Sequence, residues 1–199
     1  YNGVEYEMAG GPFAKLDSLK QVSFEEGTTV IAKNLFRGCT GIEKVVIPDT
    51  VEVIHECAFM HCLRLNSLTI GSGVHTIEAS AFDRCVSLPK VSIPKSVTTI
   101  GNYAFVSCKS MTSLVMTDGL VSIGDHAFKA CSSLTSVVIP NSVTSIHRCF
   151  VHHLQQKTKA IGILDHSTEN INVPSWHCFL IANANHGMKT RRIQQIKER

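Results

Sequence analysis

Residues 88–110 read LPKVSIPKSVTTIGNYAFVSCKS, and this stretch decides the fold because its apolar positions recur along the chain at a fixed step of 23 residues. Phe105 falls in a column with Phe13, Phe36, Phe59, Phe82 and Phe128. Cys108 does so with Cys39, Cys62, Cys85 and Cys131, and Ile100 with Ile31, Ile54, Ile77, Ile123 and Ile146. Three columns in one register define an internal repeat. Within the stretch, Val91 and Ile93 alternate with Lys90 and Ser92, the two-residue period of a short strand with one buried face. VTTI is a second short extended piece, and NYAFVSC is a compact segment that closes the coil. A single coil cannot bury its apolar side, so neighbours must stack. The expected fold is a β-rich, right-handed solenoid of about six coils with a parallel sheet over residues 1–151. A poorly defined C-terminal tail, a partial cap or disordered, follows over 152–199.

A second period lies inside the first. Gly27, Gly73 and Gly119 mark the turn after the strand in alternate coils, and Pro48, Pro94 and Pro140 mark it in the others, each set spaced by 46 residues. Gly permits positive φ while Pro fixes φ near −65° and removes a donor, so two alternating turn geometries are expected along one edge. Residues 1–13 read as the latter half of a preceding coil, with Met8 in the Ile slot and Phe13 in register. At the other end Val151 stands in the Phe slot and Leu154 in the Cys slot, and the repeat decays.

The 199 residues fit one domain with a substantial core. With 44% hydrophobic, 7% aromatic and 18% charged residues, that core must come from Val, Ile, Leu, Ala and Cys. The net charge of +3 is unevenly placed: residues 1–151 carry 12 Lys+Arg against 13 Asp+Glu, and 152–199 carry 7 against 3. With the basic surplus in the tail, no clustered basic face is evident on the repeats, and no nucleic-acid partner is expected. No apolar run is long enough to span a bilayer, and none has the character of a signal peptide. A start at Tyr1 rather than Met reads as a fragment or processed form, expected to act as a monomer or as part of a longer chain.

The coils IGSGVHTIEASAF (70–82), IPKSVTTIGNYAF (93–105) and CSSLTSVVIPNSVTSI (131–146) resemble the BspA-type leucine-rich repeat family, over about residues 1–151. The resemblance implies a curved solenoid with a parallel sheet, of a kind found in surface and secreted proteins, some of them adhesins. It implies a cell-surface or secreted location and carries no catalytic motif. Residues 152–199 depart from the pattern.

Stacked at about 4.8 Å per rung, outward strand positions become ladders along the solenoid. One ladder is Gln21, Lys44, Ser67, Lys90, Ser113 and Ser136. The other is Ser23, Val46, Thr69, Ser92, Val115 and Val138. Their small, weakly polar and β-branched content suits a shallow protein or glycan contact; equally, such residues simply favour strands. Neither ladder contains an aromatic anchor, so binding by this segment alone should be weak.

Five of the eight cysteines occupy the repeat column and read as buried, reduced thiols packing as small hydrophobes. A metal reading must use His55, Cys57, His61 and Cys62, or His147, Cys149, His152 and His153; the first is weakened because Cys62 belongs to the core column, and the second lies where the repeat ends and has no standard zinc spacing. His55-Glu56-Cys57-Ala58-Phe59 fails the H-E-x-x-H pattern at Phe59. No cofactor, metal ligand or catalytic residue is therefore expected, and the leading reading is a non-enzymatic scaffold for protein or glycan binding, with adhesion as its biology. The rivals are a metal- or thiol-dependent enzyme at the second His/Cys group and a purely structural spacer. In the tail, Trp176 to Ile181 reads as a cap or loose extension, and the basic end around Arg192 as a solvated helix or frayed terminus, against nuclear targeting or an anionic-surface contact.

Overall fold

The computed structural model describes residues 11–13, 16–146 and 161–163. Each coil contributes two short strands, separated by a turn. The first strands are β1 (Gln21–Ser23), β3 (Lys44–Val46), β5 (Ser67–Thr69), β7 (Lys90–Ile93), β9 (Ser113–Met116) and β11 (Val137–Ile139). The second strands are β2 (Val30–Ile31), β4 (Val53–Ile54), β6 (Thr76–Ile77), β8 (Thr99–Ile100), β10 (Ser122–Ile123) and β12 (Ser145–Ile146). The molecule is a parallel β-solenoid with no helix among the described residues.

The second strands form one continuous six-stranded sheet in chain order, β2 to β12, with Ile31 opposite Ile54, Ile54 opposite Ile77, and so on to Ile146. The first strands stack along the same axis but pair as β1-β3-β5, then β7-β9, then β11 with β13 (Ile161–Ile163). The gap between β5 and β7 coincides with Pro89. In the coils on either side, the backbone N–H groups of Asn66 and Thr112 bond to the preceding coil, to Glu43 O at 2.9 Å and Pro89 O at 2.8 Å. Pro89 has no N–H to give. Strand β13 pairs in parallel with β11, Val137 opposite Ile161, so a rung of the first ladder comes from beyond residue 151, inside the segment expected to be tail.

A third side closes each coil. Here successive three-residue turns alternate with hydrogen bonds to the following coil: Cys57 N to Ala79 O (3.0 Å), Phe59 N to Ala81 O (2.8 Å) and His61 N to Asp83 O (2.8 Å). The same triplet recurs one coil on, at Ser80, Phe82 and Arg84. This geometry needs left-handed backbone at both ends of the segment. Asn34, Cys57, Ser80, Tyr103 and His126 form one column with φ between 55° and 59°, and Gly38, His61, Arg84, Ser107 and Ala130 form the other, its non-glycine members at 58–63°. Two hydrogen-bonded strand ladders and this turn ladder together satisfy most of the backbone that stacking removes from water.

The core is the set of columns read from the sequence. Ile31, Ile54, Ile77, Ile100 and Ile123 are fully buried, as are Phe59, Phe82, Phe105 and Phe128. The phenylalanines from Phe13 to Phe128 form one stack, with centroid separations of 5.0–5.3 Å and interplanar angles of 4–16°. Each fully buried ring contributes roughly 1.5–3 kcal/mol by removal from water.

The expected alternation of turn shape holds only in part. The turn closes by the same backbone bond in coils of both kinds, for example Thr28 N to Glu25 O and Val51 N to Pro48 O, both 3.2 Å. Gly27 and Gly119 have positive φ, 89° and 130°, but Gly73 does not. What Gly73 and Gly119 share is crowding: a Cβ would lie 1.9 Å from Asp49 O in the first and 2.0 Å from Lys95 O in the second. Asp49 and Lys95 follow the turn prolines of the preceding coil. The 46-residue period is therefore a fit between a Pro turn and the Gly that stacks on it.

Candidate functional site: the outward strand ladders

The two sequence-derived ladders lie side by side on the outer face of the first strands. Gln21 is paired with Lys44, and Lys44 with Ser67, while Ser23, Val46 and Thr69 follow the same register one position on. Lys90 and Ser92 stand opposite Ser113 and Val115 in the same way. Ser136 and Val138 continue the two columns at β11, where Val138 is paired with Gly162. Eleven of the twelve residues are exposed and Val46 is half-buried.

The intervening positions Val22, Val45, Val91, Leu114 and Val137 are buried, so the strands have one core face and one outer face. At the C-terminal end the outer face is apolar, with Val115 49% and Val138 45% exposed on neighbouring rungs. Lys44 and Lys90 are its only charges. A shallow face of hydroxyls and β-branched methyl groups can make hydrogen bonds and dispersion contacts with a broad partner.

The chemistry-bearing residues behave differently from the ladders. Cys62, Cys85, Cys108 and Cys131 are buried, and each thiol donates to the carbonyl of the Phe one coil earlier: Phe36, Phe59 and Phe82 at 3.4 Å, Phe105 at 3.2 Å. Cys39 bonds Phe13 O in the same way. The residue spacing alone did not disclose this thiol-to-carbonyl ladder. Burial pushes the Cys62, Cys85 and Cys108 thiols well above the ordinary thiol range and that of Cys39 up to about 11. Such thiols are poor nucleophiles and poor metal ligands.

Of the first His/Cys group, His55 Nδ1 is 3.1 Å from Glu78 Oε2, Cys62 is committed to the core, and burial followed by the Glu56 charge raises the Cys57 thiol. Among the described residues no three His, Cys, Asp or Glu side chains are grouped to hold a metal. His147, Cys149, His152 and His153 lie outside the described residues, as do Trp176 to Ile181 and the basic end around Arg192.

One expectation about charge is corrected. Stacking collects cations from the compact segments onto one corner: Arg37, Arg64, Arg84, Lys109 and Lys129, with His61 among them. Counting charge along the chain hid this strip because its members lie 20 to 27 residues apart.

A family model described as the BspA type leucine-rich repeat region matches residues 29–158 in six copies. The chain belongs to the BspA-type leucine-rich repeat family. As a BspA-type protein it shares its fold with the leucine-rich repeat protein TpLRR of T. pallidum, at 27% identity and a TM-score of 0.58, over 64% of this chain and 69% of that one. It is similar also to the pneumococcal vaccine antigen PcpA, at 22% identity and a TM-score of 0.59, over 82% of this chain and 44% of that one. No curated protein matches it. The matched family and the T. pallidum neighbour are both leucine-rich repeat proteins. Among the described residues no helix is long and apolar enough to cross a membrane.

Proposed function

We propose that this BspA-type chain is a non-enzymatic scaffold whose outward strand ladders contact a protein or glycan ligand, with adhesion at a cell surface as its biology. One observation supports the reading: the twelve outward positions lie on one side of the first strands, eleven of them exposed, and are in register within β1-β3-β5 and within β7-β9. Such a face presents one residue of each column at every rung, with hydroxyls, β-branched methyl groups and two lysines in turn, which suits an extended ligand. The inert thiol column favours the scaffold over a thiol enzyme.

The test is binding of the full chain to arrays of immobilised extracellular-matrix proteins and of glycans, beside two variants. The reading expects at least one ligand whose signal falls with Ser92→Arg/Val115→Arg, on the ladder face, and persists with Thr98→Arg, on the exposed border of the second sheet. Absence of any ligand on both arrays, or equal binding by the ladder variant, overturns it.

A further inference from the structure

The repeats are close to neutral in sum, yet their charge is segregated. Residues 16–146 contain ten Lys and Arg and eleven Asp and Glu. Half of these cations fall in the five corner segments 37–41, 60–64, 83–87, 106–110 and 129–133, which contain a single acid, Asp83. Asp83 is only 8% exposed, and its Oδ1 accepts no hydrogen bond. One further acid, Asp17, stands at the N-terminal end of the strip, where Thr40 donates to it.

The turn ladder fixes the spacing of these cations. Gly38 N to Met60 O, His61 N to Asp83 O, Arg84 N to Val106 O and Ser107 N to Lys129 O hold consecutive corners at 2.7–2.9 Å. At about 4.8 Å per rung, Arg37 and Lys129 mark the ends of a strip roughly 19 Å long, with at least one cation on every rung. The side-chain nitrogens of Arg64, Lys109 and Lys129 make no hydrogen bond or ion pair among the described residues. The Arg84 side chain is 61% exposed and touches only the edge of Asp83, at 3.9 Å. These guanidinium and ammonium groups are thus available to anions, and Arg presents a fork matched to carboxylate or sulfate.

We infer that this corner binds a linear anionic polysaccharide, lying along the solenoid axis with one acidic group per rung or every second rung. The surface flanking the cations includes Met60, Leu63, Val86, Val106 and serines; apart from His61 the five corner segments hold no aromatic ring, and the exposed Tyr103 beside them is paired edge-on with His126, so no run of rings is offered on which successive nucleobases would stack, as single-stranded nucleic acid requires. An extended acidic peptide repeats its same-side groups at about 6.7 Å, out of step with the rungs. A pyranose chain has a shorter repeat and tolerates an open, ungrooved strip. The inference concerns a different surface from the strand ladders and stands or falls separately from them.

The test uses the full chain with heparin and polygalacturonate as the sulfated and carboxylated probes, and oligothymidylate and polyglutamate as competitors of other classes. Three variants with unchanged thermal unfolding separate the surfaces: Arg64→Gln/Lys109→Gln/Lys129→Gln on the corner, Lys44→Gln/Lys90→Gln on the strand face, and Arg191→Gln/Arg192→Gln/Lys197→Gln near the C-terminus. The corner variant is expected to lose about tenfold in affinity for at least one glycan probe, since three exposed charge contacts are removed. The other two should change by less than about twofold, and binding should weaken with added salt. No glycan binding at low salt, equal competition by oligothymidylate or polyglutamate, or a loss that follows the strand-face or C-terminal variant instead overturns the inference.

Discussion

Ala130 sits at φ 60°, where an L-residue costs roughly 1–2 kcal/mol, more than the roughly 0.5–1 kcal/mol that glycine adds through chain entropy. Ala130→Gly should therefore raise stability by about 0.5 kcal/mol, read as a higher urea midpoint at unchanged slope. Asp83 is a buried carboxyl whose affinity for its proton is raised, by burial first, against the opposing charges of His61, Arg84 and Arg37. A raised folded-state value means that stability present in acid is lost as pH rises through that value. Asp83→Asn should thus unfold at higher temperature than the parent at pH 7, with the difference shrinking towards pH 3; equal melting at both would show that the carboxylate is solvated. The thiol of Cys39 has the same sign at the alkaline end. Its folded value of about 11 lies above the ordinary 9.0, so the stabilisation it gives is complete below pH 9 and lost as pH rises through 11. Urea titrations from pH 8 to 11 should show a shallower decline in Cys39→Ala than in the parent.

Within the coil, the turns were only half legible. The Gly/Pro alternation was visible in the sequence, but glycine's freedom at positive φ explains Gly27 and Gly119, while a close carbonyl explains Gly73. Gly73→Ala would force a Cβ to within 1.9 Å of the Asp49 carbonyl, a backbone atom that cannot swing away. It should cost about 2 kcal/mol or more, at the upper part of the overpacking range. Gly27→Ala meets open space and bears only the strain of its φ of 89°, about 1 kcal/mol. Chemical denaturation of the two variants checks that order. The strands themselves were readable from period-two alternation, since each has one buried and one open face. The left-handed columns were not, because Cys57, Ser80, Tyr103 and Ala130 have little in common as side chains. Their backbone is set by hydrogen bonds to the next coil, which local propensity does not encode.

Across the whole molecule, stacking makes length adjustable in units of a coil pair. Deleting residues 71–116 removes 46 residues and brings Gly119 onto the Asp49 turn, a contact of the kind Gly73 makes now. Deleting residues 71–93 removes 23 and places Ser96 there instead, with a Cβ where the neighbouring carbonyl leaves no room. The longer deletion is expected to yield the more stable protein, melting cooperatively, because solenoid stability is a sum of nearest-neighbour terms and the shorter one spoils such a term. Higher melting of the 23-residue deletion would show that the Pro-to-Gly fit is unimportant. The repeat, the columns of Phe, Ile and Cys that face the core, and the outward ladders are all readable from the residues alone. These follow from periodicity, which records how often a position is buried. The turn ladder, the thiol-to-carbonyl bonds, the break at Pro89 and the basic corner emerge only when the coils are stacked. Each joins residues 20 or more apart, and such contacts depend on how one coil sits upon the next, a geometry set by backbone hydrogen bonds rather than by side-chain character.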